Sequence, residues 1–382
     1  MREDTGAQGP AASRLWAPEG PLDVRATLAP LQHGPGDPTL RWMPDGAWRA
    51  VRLAAGPATV RLSVVPGAAR EVAAGATRQA DPRDARLGGT TRGTLLDPQR
   101  GDQIRLDAWG PGAQAALEAA PAWLGRDDDW TDFDAPGFHE RLPESVRATR
   151  RVRLGLKLPH GGGVLDTLTA IILEQRVTGL EAHYAWARLV TRFGERAPGH
   201  VVVSRGGPGH RPTTGTAAVP PRAGAAVALM LPPTGAAWRA IPSWEWHAAR
   251  VDASRRNTLV AAAERESAWH RLEAGVPTRP GAVELAALER ALRSLPGVGV
   301  WTAAETLQRT HGAPDHVSFG DFHVAHLVGQ ALTGRRVDDA GMERLLAPWA
   351  GHRQRVVRLL YASGAKNPSY GPRLAPQDHR RH

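Results

Sequence analysis

The chain has 382 residues, enough for two or three domains, and an ordinary share of apolar residues for building a core. Its net charge of +10 and isoelectric point of about 11.0 favour a polyanionic partner, even after discounting for an arginine-rich composition. The absence of cysteine excludes disulfides, thiolate zinc sites and thiolate-held iron–sulfur clusters; no apolar run approaches the ~20 residues of a membrane span, and the charged first residues lack a signal-peptide core, so a reducing cytoplasm is expected.

Residues 1–15 are small and polar and are expected to be disordered. From 16 to 125 the pattern is that of an antiparallel sheet domain. Val24, Ala26 and Leu28 alternate as in a strand, and Trp42 leads into the hairpin signal Asp45-Gly46. Trp48, Ala50, Val51 and Leu53 follow, then Val60, Leu62 and Val64. Residues 66–103 read as a surface insertion; Ile104, Leu106 and Ala108 resume the sheet, and Gly110-Pro111-Gly112 opens a short helix. Residues 126–140 hold Asp127, Asp128, Asp129, Asp132 and Asp134. They lack the spacing and closing Glu of a calcium loop, so they read as a solvated acidic linker.

Residues 141–363 carry helical periodicity, interrupted by a Gly/Pro/Arg/Thr-rich insertion at 204–224, and 364–382 form a basic tail. Leu165, Leu168, Ile171, Ile172 and Leu173 line one helix that ends at Glu174-Gln175-Arg176-Val177-Thr178. Ala182, Ala185, Trp186, Leu189 and Phe193 line the next, and a single helix is expected from Asp252 to Leu272. Trp244 and Trp246 are expected to pack rather than touch a ligand, whereas Arg353, Arg355 and Arg358 suit either a DNA-facing stripe or plain solubility. The fold class is therefore α+β, a sheet domain followed by an all-α domain.

One stretch carries chemistry. Val283, Leu285, Leu288, Ala291 and Leu292 predict a helix that Pro296-Gly297 breaks; a second helix starts near Val300. Gly297 and Gly299 permit positive φ and a close backbone approach, and unpaired amides at the new helix start make an anion site. Downstream, Asp321 opens a further helix, at a place where the helix dipole favours an ionised carboxylate.

Leu295-Pro296-Gly297-Val298-Gly299 followed by Asp321 resembles the helix-hairpin-helix DNA glycosylase superfamily. That resemblance implies a base-excision enzyme of the cytoplasm (nucleoid), acting as a monomer on double-stranded DNA with damaged bases. Gly297, Val298, Gly299 and Thr302 would contact DNA, and Asp321 would stabilise the oxocarbenium-like sugar or activate water. Lyase-competent members carry a Schiff-base lysine where this chain has Trp301, and no lysine lies between Val283 and Leu360. Trp301 looks like the 3-methyladenine DNA glycosylase II type, in which an indole stacks on a flipped, cationic base. The expected activity is thus monofunctional hydrolysis of alkylated purines such as 3-methyladenine and 7-methylguanine. By the same likeness, Gln175 or Arg176 would wedge into the vacated base stack. Glu305 would line the base pocket in place of an aromatic.

No cofactor is implied, save an alkali-metal ion that hairpin carbonyls such as Leu295 or Val298 could hold. His323 and His326 lack the further ligands of a transition-metal site. The alternative from another class is a non-catalytic helix-hairpin-helix DNA-binding or damage-sensing protein.

Overall fold

The computed structural model describes residues 9–67, 95–199, 201–202, 226–227 and 229–365. The expected insertion at 204–224, most of that at 66–103 and nearly all of the basic tail lie outside the described residues.

Within the amino-terminal part the strands are β1 (Ala12–Trp16), β2 (Leu22–Asp23), β3 (Leu40–Met43), β4 (Gly46–Leu53), β5 (Gly56–Val65), β6 (Leu95–Leu96) and β7 (Gln103–Trp109). Five of them form one antiparallel sheet in the order β1-β7-β5-β4-β3, and β2 pairs with β6 beside it. Met43 pairs with Gly46, so the hairpin closes through a two-residue turn at Pro44-Asp45, one position earlier than the expected Asp45-Gly46, with Gly46 at φ 133° opening the next strand. The helix Ala113–Trp123 covers one sheet face and buries Ala116, Leu117, Ala120 and Trp123 against it.

Three expectations fail here for physical reasons. Residues 12–16 are not disordered: β1 closes the open edge of β7, from Ala12 opposite Ala108 to Trp16 opposite Ile104. The Ser13 hydroxyl also donates to buried Asp107 at 2.6 Å. Val24–Leu28 is a short helix rather than a strand, because the Asp23 carboxylate caps it by accepting the Ala26 amide at 2.9 Å. Three alternating apolar residues are too few to separate the two periods.

Residues 126–140 are not a solvated linker. Trp130 and Phe133 are buried, and Asp128 accepts from the Trp130 indole at 2.5 Å, the Leu158 amide at 2.7 Å and Arg355 at 2.5 Å. Arg150 and Arg355 lie over the Trp130 ring at 4.0 and 5.0 Å.

The helical part has two cores. One is built from Val164–Glu174, Gly179–Phe193, Ala253–Ala263, Ala282–Arg293 and Val300–Thr310. The other is built from Glu144–Val152, Phe322–Thr333, Asp339–Leu346 and Arg353–Ala362. The helix expected over 252–272 breaks at Glu264-Arg265 into Ala253–Ala263 and Glu266–Ala274, and the Trp269 indole folds back to donate to Ala262 O at 2.9 Å. Trp246 is buried and stacks on Trp238 at 5.9 Å, whereas Trp244 is 68% exposed.

Arg353, Arg355 and Arg358 form no DNA-facing stripe. They pair with Asp315 at 2.6 Å, with Asp128, and with Ala26 O at 3.1 Å, tying the last helix to the rest of the molecule. Among the described residues no helix is long and apolar enough to cross a membrane.

Candidate functional site

The hairpin forms as the sequence predicts, between Ala282–Arg293 and Val300–Thr310. Buried Leu295 and Val298 anchor it to the first helical core, and the Val298 amide closes the turn on Leu295 O at 3.0 Å. Positive φ is needed only at Gly297 (φ 87°), where an added Cβ would lie 2.1 Å from Thr258 Oγ1. Gly299 has φ −93° and open space where a Cβ would point, so the expectation of positive φ at both glycines is corrected.

Val298 and Thr302 are buried, at 6% and 2% exposure, so a contact from either to DNA would run through its backbone rather than its side chain. Gly297, Gly299 and Val300 are exposed. Leu295 O and Gly297 O each accept one hydrogen bond, from the Val298 amide and from Gln175 Nε2.

Gln175 and Arg176 part ways. Gln175 Nε2 donates to Gly297 O at 3.0 Å and Thr302 Oγ1 at 2.8 Å, so both its amide hydrogens hold the hairpin and it is not a free wedge. Arg176 is exposed and held at φ 55°, a left-handed conformation costly for a residue with a Cβ. Arg250 is strained in the same way, at φ 62°. Buried Arg255 straps the two turns together by donating to Leu173 O and Arg250 O, each at 2.9 Å.

Asp321 is joined to the helix that the hairpin opens through Trp301. It caps the Phe322–Thr333 helix, its Oδ1 accepting the His323 and Val324 amides at 2.8 and 3.2 Å. Its Oδ2 accepts the Trp301 indole N–H at 3.3 Å. Gly320, at φ 93°, makes the left-handed turn into this cap, and a Cβ there would meet Trp301 Cβ at an ordinary 3.7 Å. The carboxylate therefore sits where the second helical core meets the hairpin of the first, with one oxygen locked by backbone and the other tied only to an indole.

Glu305, one turn after Trp301, is not a free carboxylate. Its oxygens are taken by Arg309 and by the Ser318 hydroxyl, and Arg309 also donates to Pro30 O at 2.8 Å. Tyr361 of the last helix is close enough to feel the charges of Asp321 and Glu305. Desolvation, and then the negative charges of Asp321 and Glu305, push its phenol up to about 12, so it stays a neutral donor at physiological pH. Sequence reasoning missed Tyr361 because it continues the apolar stripe of Val357 and Leu360 and reads as core.

Among the described residues no group of three or more His, Cys, Asp or Glu is placed to hold a metal ion.

No protein-family model matches the sequence, and no curated protein matches it. Solved structures do. A 3-methyladenine DNA glycosylase from Archaeoglobus fulgidus superposes with a TM-score of 0.58 at 14% identity, covering 92% of this chain and 98% of that one. An 8-oxoguanine glycosylase/lyase from Clostridium acetobutylicum in its apo form gives 0.53 at 7% identity, covering 91% and 98%. The same enzyme with double-stranded DNA gives 0.50 at 8%, covering 92% and 98%. At these identities the likeness is one of fold, which this chain shares with these DNA glycosylase structures.

Proposed function

We propose that this protein is a DNA glycosylase that hydrolyses the N-glycosidic bond of alkylated purines and has no lyase step. The observation that carries the reading is the Trp301–Asp321 contact two residues beyond the hairpin glycines. A strand held by the hairpin amides would present its deoxyribose to the carboxylate and its everted base to the indole. Asp321 would stabilise the positive charge that develops on the sugar, or orient the attacking water. Because a 3-methyladenine or 7-methylguanine residue is cationic, it leaves without a proton donor and gains cation–π attraction from Trp301.

The pairing of Glu305 with Arg309 and Ser318 means the base meets aromatic and neutral polar groups there, rather than a second bare carboxylate. The arginine at 176 would fill the gap left in the stack. Support for a duplex substrate comes from the fold shared with an enzyme solved on double-stranded DNA.

The monofunctional part of the reading rests on amine chemistry. The whole chain has two lysines, Lys157 and Lys366. Lys157 is occupied elsewhere, donating to Asp128 O at 3.4 Å, and Lys366 lies outside the described residues.

The test is release of free bases from methylated duplex DNA, with borohydride trapping on abasic DNA in parallel. The expected result is release of alkylated purines and no trapped adduct. Trapping would replace this reading with a lyase. DNA binding without release of any base would favour a damage-sensing protein.

A further inference from the structure

A cavity of about 290 Å³ lies between the sheet and the first helical core, with neither Trp301 nor Asp321 on its wall. The Val300–Thr310 helix has 11 residues, so it runs about 16 Å. The hairpin is at one end; Thr310 and His311 line the cavity at the other. The frame is tightly made. The Gly161 and Gly162 amides donate to Arg309 O and Thr310 O at 2.7 and 3.2 Å. Arg49 of β4 donates through Nη2 to Gly161 O at 2.8 Å and lies over the Trp123 ring at 4.4 Å.

Two groups in this frame lack partners. Arg49 Nη1 is buried with no acceptor. The Asp166 carboxyl, in the first turn of the Val164–Glu174 helix, lines the same space and takes no hydrogen bond among the described residues. Burial pushes its pKa to about 7, and pushes that of His311 down to about 4, so the histidine ring is neutral at physiological pH. The buried unmet donor is costly to keep, and with the half-buried, unpartnered Asp166 carboxyl on the same wall it defines what would satisfy both. The occupant offers an acceptor to Arg49 and an N–H to Asp166. It is flat enough to enter between the layers, and neutral: Arg52 and Arg309 on the wall pair with Glu195 and Glu305, Glu273 accepts the Val164 amide with burial raising its pKa, and Arg49 and Asp166 balance each other. A ring amide, with C=O beside N–H, has that pattern. The volume sits at the small end of the ~300–1,000 Å³ typical of ligand pockets.

We infer that this cavity is a binding site for a small neutral lactam heterocycle, such as a free oxopurine, held between the Arg49 guanidinium and the Asp166 carboxyl. The site stands independently of the proposed excision reaction, because its donor and acceptor come from neither Trp301 nor Asp321.

The test is calorimetric or ligand-observed NMR titration of the full chain with hypoxanthine, against purine, which has the same bicycle without the lactam. Hypoxanthine is expected to bind saturably and purine at least about tenfold more weakly, or ~1.4 kcal/mol. Arg49→Met and Asp166→Ala should each weaken hypoxanthine by a similar factor, while Trp301→Ala leaves it unchanged. Arg49→Met also removes the bond to Gly161 O and could disturb the fold; Asp166→Ala has no hydrogen bond to lose and carries the test alone if the first variant melts early. No saturable binding at millimolar hypoxanthine would leave only solvent in the cavity and overturn the inference. Equal binding of purine, or binding indifferent to the Asp166 change, would also overturn it. Loss of binding in Trp301→Ala would place the ligand in the base pocket instead.

Discussion

The Trp301 indole N–H donates to Asp321 Oδ2 at 3.3 Å, joining the surface on which a base would stack to the carboxylate that would lie beside the sugar. Trp301→Phe keeps an aromatic face and removes that bond. A hydrogen bond to a charged group is worth about 1.5–3 kcal/mol, so single-turnover base release should fall roughly 10- to 100-fold. Fluorescence anisotropy should show DNA affinity nearly unchanged. Release at the wild-type rate would mean that the indole does not orient the carboxylate.

The two hairpin glycines should behave differently. A Cβ at Gly297 would strike Thr258 Oγ1 at 2.1 Å on a backbone already at φ 87°, so Gly297→Ala should lose stability, by about 1–2 kcal/mol. A Cβ at Gly299 meets nothing within 4 Å. Gly299→Ala should therefore melt like the wild type yet bind DNA more weakly, because the methyl occupies the space a phosphate needs. Thermal melts and binding isotherms on both variants separate the two effects.

Arg176 is predicted to trade stability for activity. Its φ of 55° suits glycine, so Arg176→Gly should relieve strain of about 1 kcal/mol and raise the melting temperature by a few degrees. The same change removes the side chain that would support the gap in the stack. Base release from duplex should drop, with less effect on a lesion already mispaired. A variant that is both less stable and fully active would remove Arg176 from the wedge role.

Asp166 gives a pH signature. Its pKa stands at about 7 when folded against an ordinary value of 3.8, so its contribution to stability is complete below about pH 4 and is lost as pH rises through 7. Asp166→Asn removes that titration. The melting-temperature advantage of the Asn variant should therefore be small at pH 4 and widen up to pH 8. His311 titrates in the opposite sense, with stability lost as pH falls from 6.5 towards its folded value of about 4. It is present in both proteins and cancels in the difference. A gap that does not change with pH would contradict the placement of Asp166.

The hairpin, the sheet register around Gly46 and the cap at Asp321 were legible because each rests on local chemistry: a glycine at a forced φ, a two-residue turn, a carboxylate before a helix. What failed to read depends on partners distant in sequence. Asp128 is a buried acceptor only because Arg355 arrives 227 positions later. Gln175 is a strut rather than a wedge only because Gly297 O faces it across 122 positions. Glu305 differs: Arg309, one turn on, takes one oxygen and Ser318 the other, an i,i+4 pair that the sequence did offer. No periodicity encodes the long-range pairings, and Tyr361 was missed because it continues an apolar stripe.

The most direct test of the account is single-turnover base release from methylated duplex DNA by Asp321→Asn. Asparagine keeps an oxygen for the His323 and Val324 amides, so the helix cap and the hairpin should survive. The account predicts a rate loss on the order of 100- to 1,000-fold with DNA affinity preserved. Release by the asparagine variant at the wild-type rate would contradict it.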